Sequence, residues 1–210
     1  IYWLFAFLRF GTGGMTAQIS SHISATDNIE MIVAVFHPYA MSTFLNVPTS
    51  LFYNREVSGY GLENKELNCL AARVLDCEDN KFCIYLIEQW LLSQLRINST
   101  SRREQDIDRI MTVIRQMYSN PNIRISELAS IACLSKKQFE RVFLAMVGMN
   151  PKEYARIVRF QQSLKLMQNQ PESISLAQIS YQCGYSDQSH FIREFRTLSG
   201  YTPLSLREIC

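Results

Sequence analysis

The strongest constraint on the fold is a near-repeat in the second half of the chain. Phe139, Phe143, Gly148 and Pro151 recur as Phe191, Phe195, Gly200 and Pro203, each 52 residues further on. Each set follows a short amphipathic run that ends in a turn, Ile125 to Leu134 in the first copy and Ile174 to Tyr185 in the second. Apolar residues three and four apart line one helix face, a glycine just past the last of them closes the helix, and a proline opens the next. A doubled helix-turn-helix is the simplest fold with this pattern.

Start and stop signals around the repeat are dense. Ser126 is expected to open a helix with Leu128, Ala129, Ile131 and Ala132 inward. Ser135 and Gln138 have the spacing of a capping box, in which each side chain satisfies a free backbone N–H of the other. Asn150, Pro151 and Glu153 open a long helix that runs to about Gln168 and is broken by Pro171. Ser175 with Gln178 opens a fifth helix, Ser186 or Asp187 caps a sixth, and Thr202-Pro203 begins a short last one. Upstream, Gln105 to Ser119 turns Ile107, Ile110, Met111, Ile114 and Met117 inward before Asn120-Pro121 ends it. Seven helices with short connections describe a compact all-α domain over residues 105–210.

Residues 1–97 read differently, which makes the chain α+β as a whole. The apolar opening Ile1 to Phe10 and the β-branched run Ile29 to His37 have strand composition, with the opening taken as part of a buried strand pair. Gly11, Gly13 and Gly14 mark a turn before the alternating run Met15 to Ile23. Two helices follow. Asn64 to Leu75 groups Leu67, Leu70, Ala71, Val74 and Leu75, and Lys81 to Leu95 groups Phe82, Leu86, Ile87, Trp90, Leu91 and Leu95, a core stripe or a dimer face. This part reads as a partial sensory or dimerisation domain. The polar run 98–104 reads as the linker.

From Arg102 onward there are 15 Lys and Arg against 10 Asp and Glu, while the preceding residues carry 6 against 9. A basic half suits phosphates. The six cysteines form no C-x-x-C pair, and Cys133 and Cys183 are expected to pack inward as small apolar groups. No disulfide framework is implied, which points to a reducing cytosol. His22, His37 and His190 are too scattered for a zinc site, and neither metal nor cofactor is called for. The apolar opening is too short to span a bilayer and contains Arg9, and no cleavage site follows it.

A second helix of such a unit enters the major groove with its N-terminal and outward side chains. In the first copy this helix is 136–146, with Phe139, Val142, Phe143 and Met146 inward and Lys136, Lys137, Glu140 and Arg141 outside near its start. In the second it is 188–198, with Phe191, Ile192, Phe195 and Leu198 inward and Gln188, Ser189, His190 and Arg193 outside. Arginine can read guanine, glutamine adenine, and glutamate the amino group of cytosine. Lys136, Lys152 and Arg196 are placed to hold phosphates.

The stretch Gly184-Tyr185-Ser186-Asp187-Gln188-Ser189-His190-Phe191, continuing through Phe195, Gly200, Thr202, Pro203 and Arg207, resembles the DNA-binding domain of the AraC/XylS family of bacterial transcription regulators. The first copy matches more weakly, through Ile125, Leu128, Ala129, Ser135, Phe139, Arg141, Phe143, Gly148, Pro151, Tyr154 and Arg159. It departs at Cys133-Leu134, where the family more often has glycine and then an aromatic residue or methionine, a change expected to stiffen the turn. The resemblance implies two helix-turn-helix units joined by the helix from Pro151 to Gln168. It implies base contacts for Lys137, Glu140, Arg141, Gln188, Ser189, His190 and Arg193. Ile29 to Leu95 resembles the later strands and closing helices of the cupin-like domain that precedes this module in some members.

The function implied is a cytoplasmic, nucleoid-associated regulator of transcription that binds double-stranded DNA and is not an enzyme. Its two recognition helices would enter successive major grooves, roughly 34 Å apart. Activation through RNA polymerase is the expected mode, with a small-molecule effector at the N-terminal part, a homodimer and no membrane partner. Two rivals stand beside it. One is a DNA-targeted alkyl-acceptor protein using Cys69, Cys77 or Cys83, although Asp76, Glu78 and Asp79 make the surroundings of Cys77 unfavourable to a thiolate. The other is a protein-interaction module that has lost DNA binding, which the outward Arg141 and Arg193 oppose.

Overall fold

The computed structural model describes residues 3–8, 14–15, 31–45, 47–52, 57–58, 62–169 and 174–209. By contacts the chain divides into two units, Ile1–Ile110 with Arg141–Met149 and Met111–Glu140 with Asn150–Cys210.

In the first unit, β1 (Trp3–Leu8) pairs antiparallel with β3 (Met31–Phe36) in the register Trp3↔Phe36 to Leu8↔Met31. A second short ladder joins β2 (Gly14–Met15) to β4 (Val57–Ser58). Both strands expected from composition are present, and β3 alternates as a half-buried strand must. Ile32, Ala34 and Phe36 pack on the core, while Val33 and Val35 are exposed. The run beyond Met15 expected to alternate lies outside the described residues. Among the described residues the sheet structure is these two ladders, which do not form a barrel.

Four helical segments complete that core: α1 (Met41–Phe44), a 3-10 turn (Thr49–Phe52), α2 (Lys65–Leu75) and α3 (Asn80–Asn98). Asn64 Oδ1 caps α2 by accepting from the Leu67 N–H at 3.0 Å, and Asp79 Oδ1 caps α3 through the Lys81 N–H at 2.9 Å. Leu67, Leu70 and Val74 of α2 are buried as the spacing requires. On α3 the expected Leu86, Ile87, Trp90 and Leu91 pack on the core, and the stripe differs from the expected one at its two ends. Cys83, Leu86, Ile87 and Gln94 are buried, whereas Phe82 and Leu95 are 48% and 45% exposed. Cys83 sits one turn before Ile87 and fills the core position where a bulky Phe82 was expected. Gln94 is tolerated inside because its amide donates to Glu66 Oε2.

Helix α4 (Ser101–Ser119) begins within the polar run read as a linker, so that only Ser99 and Thr100 lie outside helices. The reason is a cap: Thr100 Oγ1 accepts from the Arg103 N–H at 3.2 Å. A threonine cap and good helix formers outweigh the missing apolar period. The expected inward residues Ile110, Ile114 and Met117 are buried, together with Val113.

Six further helices complete the series that begins with α4: α5 (Ile125–Ile131), α6 (Lys136–Val147), α7 (Pro151–Asn169), α8 (Leu176–Gln182), α9 (Gln188–Ser199) and α10 (Pro203–Ile209). Helix α5 starts one residue before Ser126, with Arg124 at the cap position and no side-chain bond there. Pro171, the expected breaker, lies outside the described residues. The second unit has its own core: Phe160 of α7 meets Phe195 edge-on at 5.0 Å between centroids, and Phe195 meets Phe191 at 5.6 Å. No helix among the described residues is long and apolar enough to cross a membrane.

Candidate nucleic-acid interface

The two turns of the repeat are built alike. In the first, the N–H of Leu134 reaches the Ala129 carbonyl; in the second, that of Tyr185 reaches the Ser180 carbonyl, at 3.0 and 2.9 Å. The residue before each is in the left-handed region, Cys133 with φ +53° and Gly184 with φ +76°. That conformation explains why a glycine suits the site. It also overturns the expected inward packing of Cys133, whose side chain is exposed, while Cys183 is buried as expected. The second turn carries one additional residue, Ser186, before its capping Asp187.

Both recognition helices start where their caps dictate. Gln138 N–H donates to Ser135 Oγ at 3.3 Å and Ser135 N–H to Gln138 Oε1 at 3.2 Å, the reciprocal box. The matching box on α8 joins Ser175 and Gln178. Asp187 Oδ1 accepts from the His190 N–H at 2.7 Å, and this bond holds the Asp187 carboxyl below its ordinary value. Gly148 and Gly200 end α6 and α9 in the left-handed conformation.

The caps and buried phenylalanines settle which residues remain outside. Phe139, Phe143, Phe191 and Phe195 are fully buried. Lys136, Lys137, Glu140 and Arg141 of α6 are exposed, as are Gln188, Ser189, Arg193 and Arg196 of α9 and Lys152 of α7. Two lysines and no acid occupy the first turn of α6. Cations there oppose the helix dipole and cost stability unless an anion is present.

His190 differs from its neighbours. Its Nδ1 lies 3.0 Å from Ser186 Oγ, its Nε2 3.4 Å from Glu194 Oε2, and its ring stands edge-on to Tyr185 at 5.5 Å. Glu194 is itself only 6% exposed and receives Arg156 Nε at 3.1 Å and Arg159 at 3.2 Å. Sequence reading missed Glu194. The available signal was its place three residues after Phe191, on the inward stripe, with two arginines three apart on the preceding long helix. Arg159 also lies over the Tyr185 ring, 5.3 Å from its centroid. Burial pushes the Cys183 thiol up to about 11. Among the described residues no cluster of His, Cys, Asp and Glu could hold a metal ion.

The family model described as a helix-turn-helix domain matches residues 128–209. The chain is 22% identical over 193 residues to the probable transcriptional regulator LumQ of Photobacterium leiognathi, covering 90% of this chain and 75% of that protein. It is 24% identical over 124 residues to the transcriptional activator RhaS of Pectobacterium carotovorum, covering 59% of this chain and 43% of RhaS. A solved AraC-type regulator from Chromobacterium violaceum is 26% identical, with a TM-score of 0.45 over 48% of this chain and 90% of that one. The doubled turn, its caps and the filled motif from Gly184 to Arg207 agree with the family match: residues 128–209 form a helix-turn-helix domain, and the chain is similar to bacterial transcription regulators.

Proposed function

We propose that this chain recognises a specific double-stranded DNA sequence through Lys137, Glu140 and Arg141 of α6 and Gln188, Ser189 and Arg193 of α9, and regulates transcription there. Lys136, Lys152 and Arg196 hold phosphates and fix register. The observation that carries this reading is the outer face of α6, where two exposed lysines occupy a first turn that holds no acid, with Glu140 and Arg141 exposed one turn further on. A phosphate removes that dipole conflict.

The reading extends to a cytoplasmic, nucleoid-associated protein that activates transcription, as the name of RhaS says of that relative, here through contact with RNA polymerase. The reading also includes a homodimer and a small-molecule effector at the N-terminal unit. No catalysis is needed. The alkyl-acceptor alternative is disfavoured at Cys83, which is buried with its Sγ 3.6 Å from the Val74 carbonyl oxygen.

Selection of bound sites from random duplexes tests the reading. A single enriched motif is expected, and Arg193→Ala should weaken binding to it by about 1–3 kcal/mol and relax one base position. Affinity should fall steeply with salt. Equal losses on selected and random DNA would contradict base reading by Arg193.

A further inference from the structure

The network around Glu194 has a function that its burial alone does not explain. Two arginines of α7 and one histidine of α9 converge on a single carboxylate that is 6% exposed. A buried ion pair is weak evidence for stability, because desolvation cancels most of the Coulomb gain. Its geometry, in contrast, is demanding. Arg156 and Arg159 are one turn apart on α7, and each takes a different oxygen of Glu194, at 3.1 and 3.2 Å. Sliding α9 by one residue moves it about 1.5 Å and turns it about 100°. Either change breaks both bonds.

We infer that Glu194 is a positioning residue for sequence reading, locking the rotation and axial register of α9 on α7 and so fixing where Arg193, Gln188 and Ser189 point. Arg193 is the residue immediately before Glu194, so the direction of one dictates that of the other. His190 is the second member of the device. Ser186, the additional residue of the second turn, holds its Nδ1, and Glu194 faces its Nε2. The turn, the recognition helix and the long helix are thereby joined through side chains. The carboxylate also occupies Arg156 and His190, each 37% exposed, which are then withheld from indiscriminate phosphate contacts.

This inference rests on the DNA-reading function proposed above, and one experiment separates the two. The full chain selects its duplex from a random pool, and its affinity for that duplex and for a random-sequence duplex is measured over a salt series. Glu194→Gln keeps the shape and removes the charge. The expected result is a fall of about tenfold or more in the ratio of selected to random affinity, with random-duplex binding kept or tightened and its salt dependence steeper. Arg156→Gln, at a more exposed position, should lower the ratio in the same direction with a small change in thermal stability. It decides the matter if Glu194→Gln does not fold. The double variant should be no worse than Glu194→Gln alone. If wild type enriches no sequence, the DNA-reading function fails and this inference with it. If wild type enriches a motif and the foldable variants keep its ratio, or lose affinity equally on both duplexes, Glu194 only braces the fold and the inference is overturned.

Discussion

At the scale of single residues, the two turns offer a matched pair of substitutions with opposite signs. Gly184 has φ +76°, and an added Cβ would lie 2.4 Å from Asn122 Oδ1. The exposed Asn122 side chain can move aside, so most of the penalty is conformational, and Gly184→Ala should cost about 1–2 kcal/mol in urea unfolding. Cys133 already bears that strain at φ +53° with an exposed side chain. Cys133→Gly should gain up to about 1 kcal/mol, since relief of left-handed strain exceeds the entropy glycine adds to the unfolded chain. The family habit of glycine at this place was legible from sequence. The reason for it, a positive φ, was not, because an outward cysteine and an inward one look the same in a string of letters.

Titrating residues give signed predictions at the same scale. Asp187 has a lowered native value owing to the His190 N–H, so its contribution is present above the ordinary carboxylate value of 3.8 and is lost as pH falls through the lower native one. Asp187→Asn should keep the cap and flatten the acid limb of a stability-versus-pH curve. Cys183 is the opposite case: its stabilising effect is full below pH 9.0 and declines as pH rises through about 11. Thiol labelling at neutral pH should therefore find the exposed Cys69 and Cys133 fast and the buried Cys83 and Cys183 slow.

At the scale of elements, capping chemistry was the most legible part of the chain. Ser135 with Gln138, Ser175 with Gln178, Asn150 before Pro151, and Asp187 all make bonds at the positions their spacing indicates. These signals act over three residues, so no distant partner can override them easily. Inward faces were less legible where a polar residue takes an apolar place, as Gln94 does on α3 and Glu194 on α9. Each is admitted by a partner on another helix, Glu66 for the first and Arg156 with Arg159 for the second. The aromatic trio sets the energetic weight of α9. Phe195→Ala should destabilise the second unit by about 3–5 kcal/mol, read by chemical denaturation. Leu204→Ala, at 57% exposure on α10, should change it by less than about 0.5 kcal/mol.

At the scale of the whole molecule, the first unit draws on two separate stretches of the sequence. Thr49, 1% exposed, donates its hydroxyl to the Ala145 carbonyl at 2.8 Å, 96 residues away, in the part of α6 that belongs to that unit. Thr49→Val should cost about 1 kcal/mol in that unit, because it removes the donor and leaves the size unchanged. A fluorescence probe near Phe52 should report the loss.

Sequence alone determined the doubled helix-turn-helix, its caps, its closing glycines and the charged faces left outside, because these follow from helical periodicity and from bonds between near neighbours. Tertiary structure decided which charge is buried, which cysteine points out and which histidine is already engaged. Those outcomes depend on side chains from separate helices meeting at a distance, as Arg156, Arg159 and Glu194 do, and no local spacing carries that information.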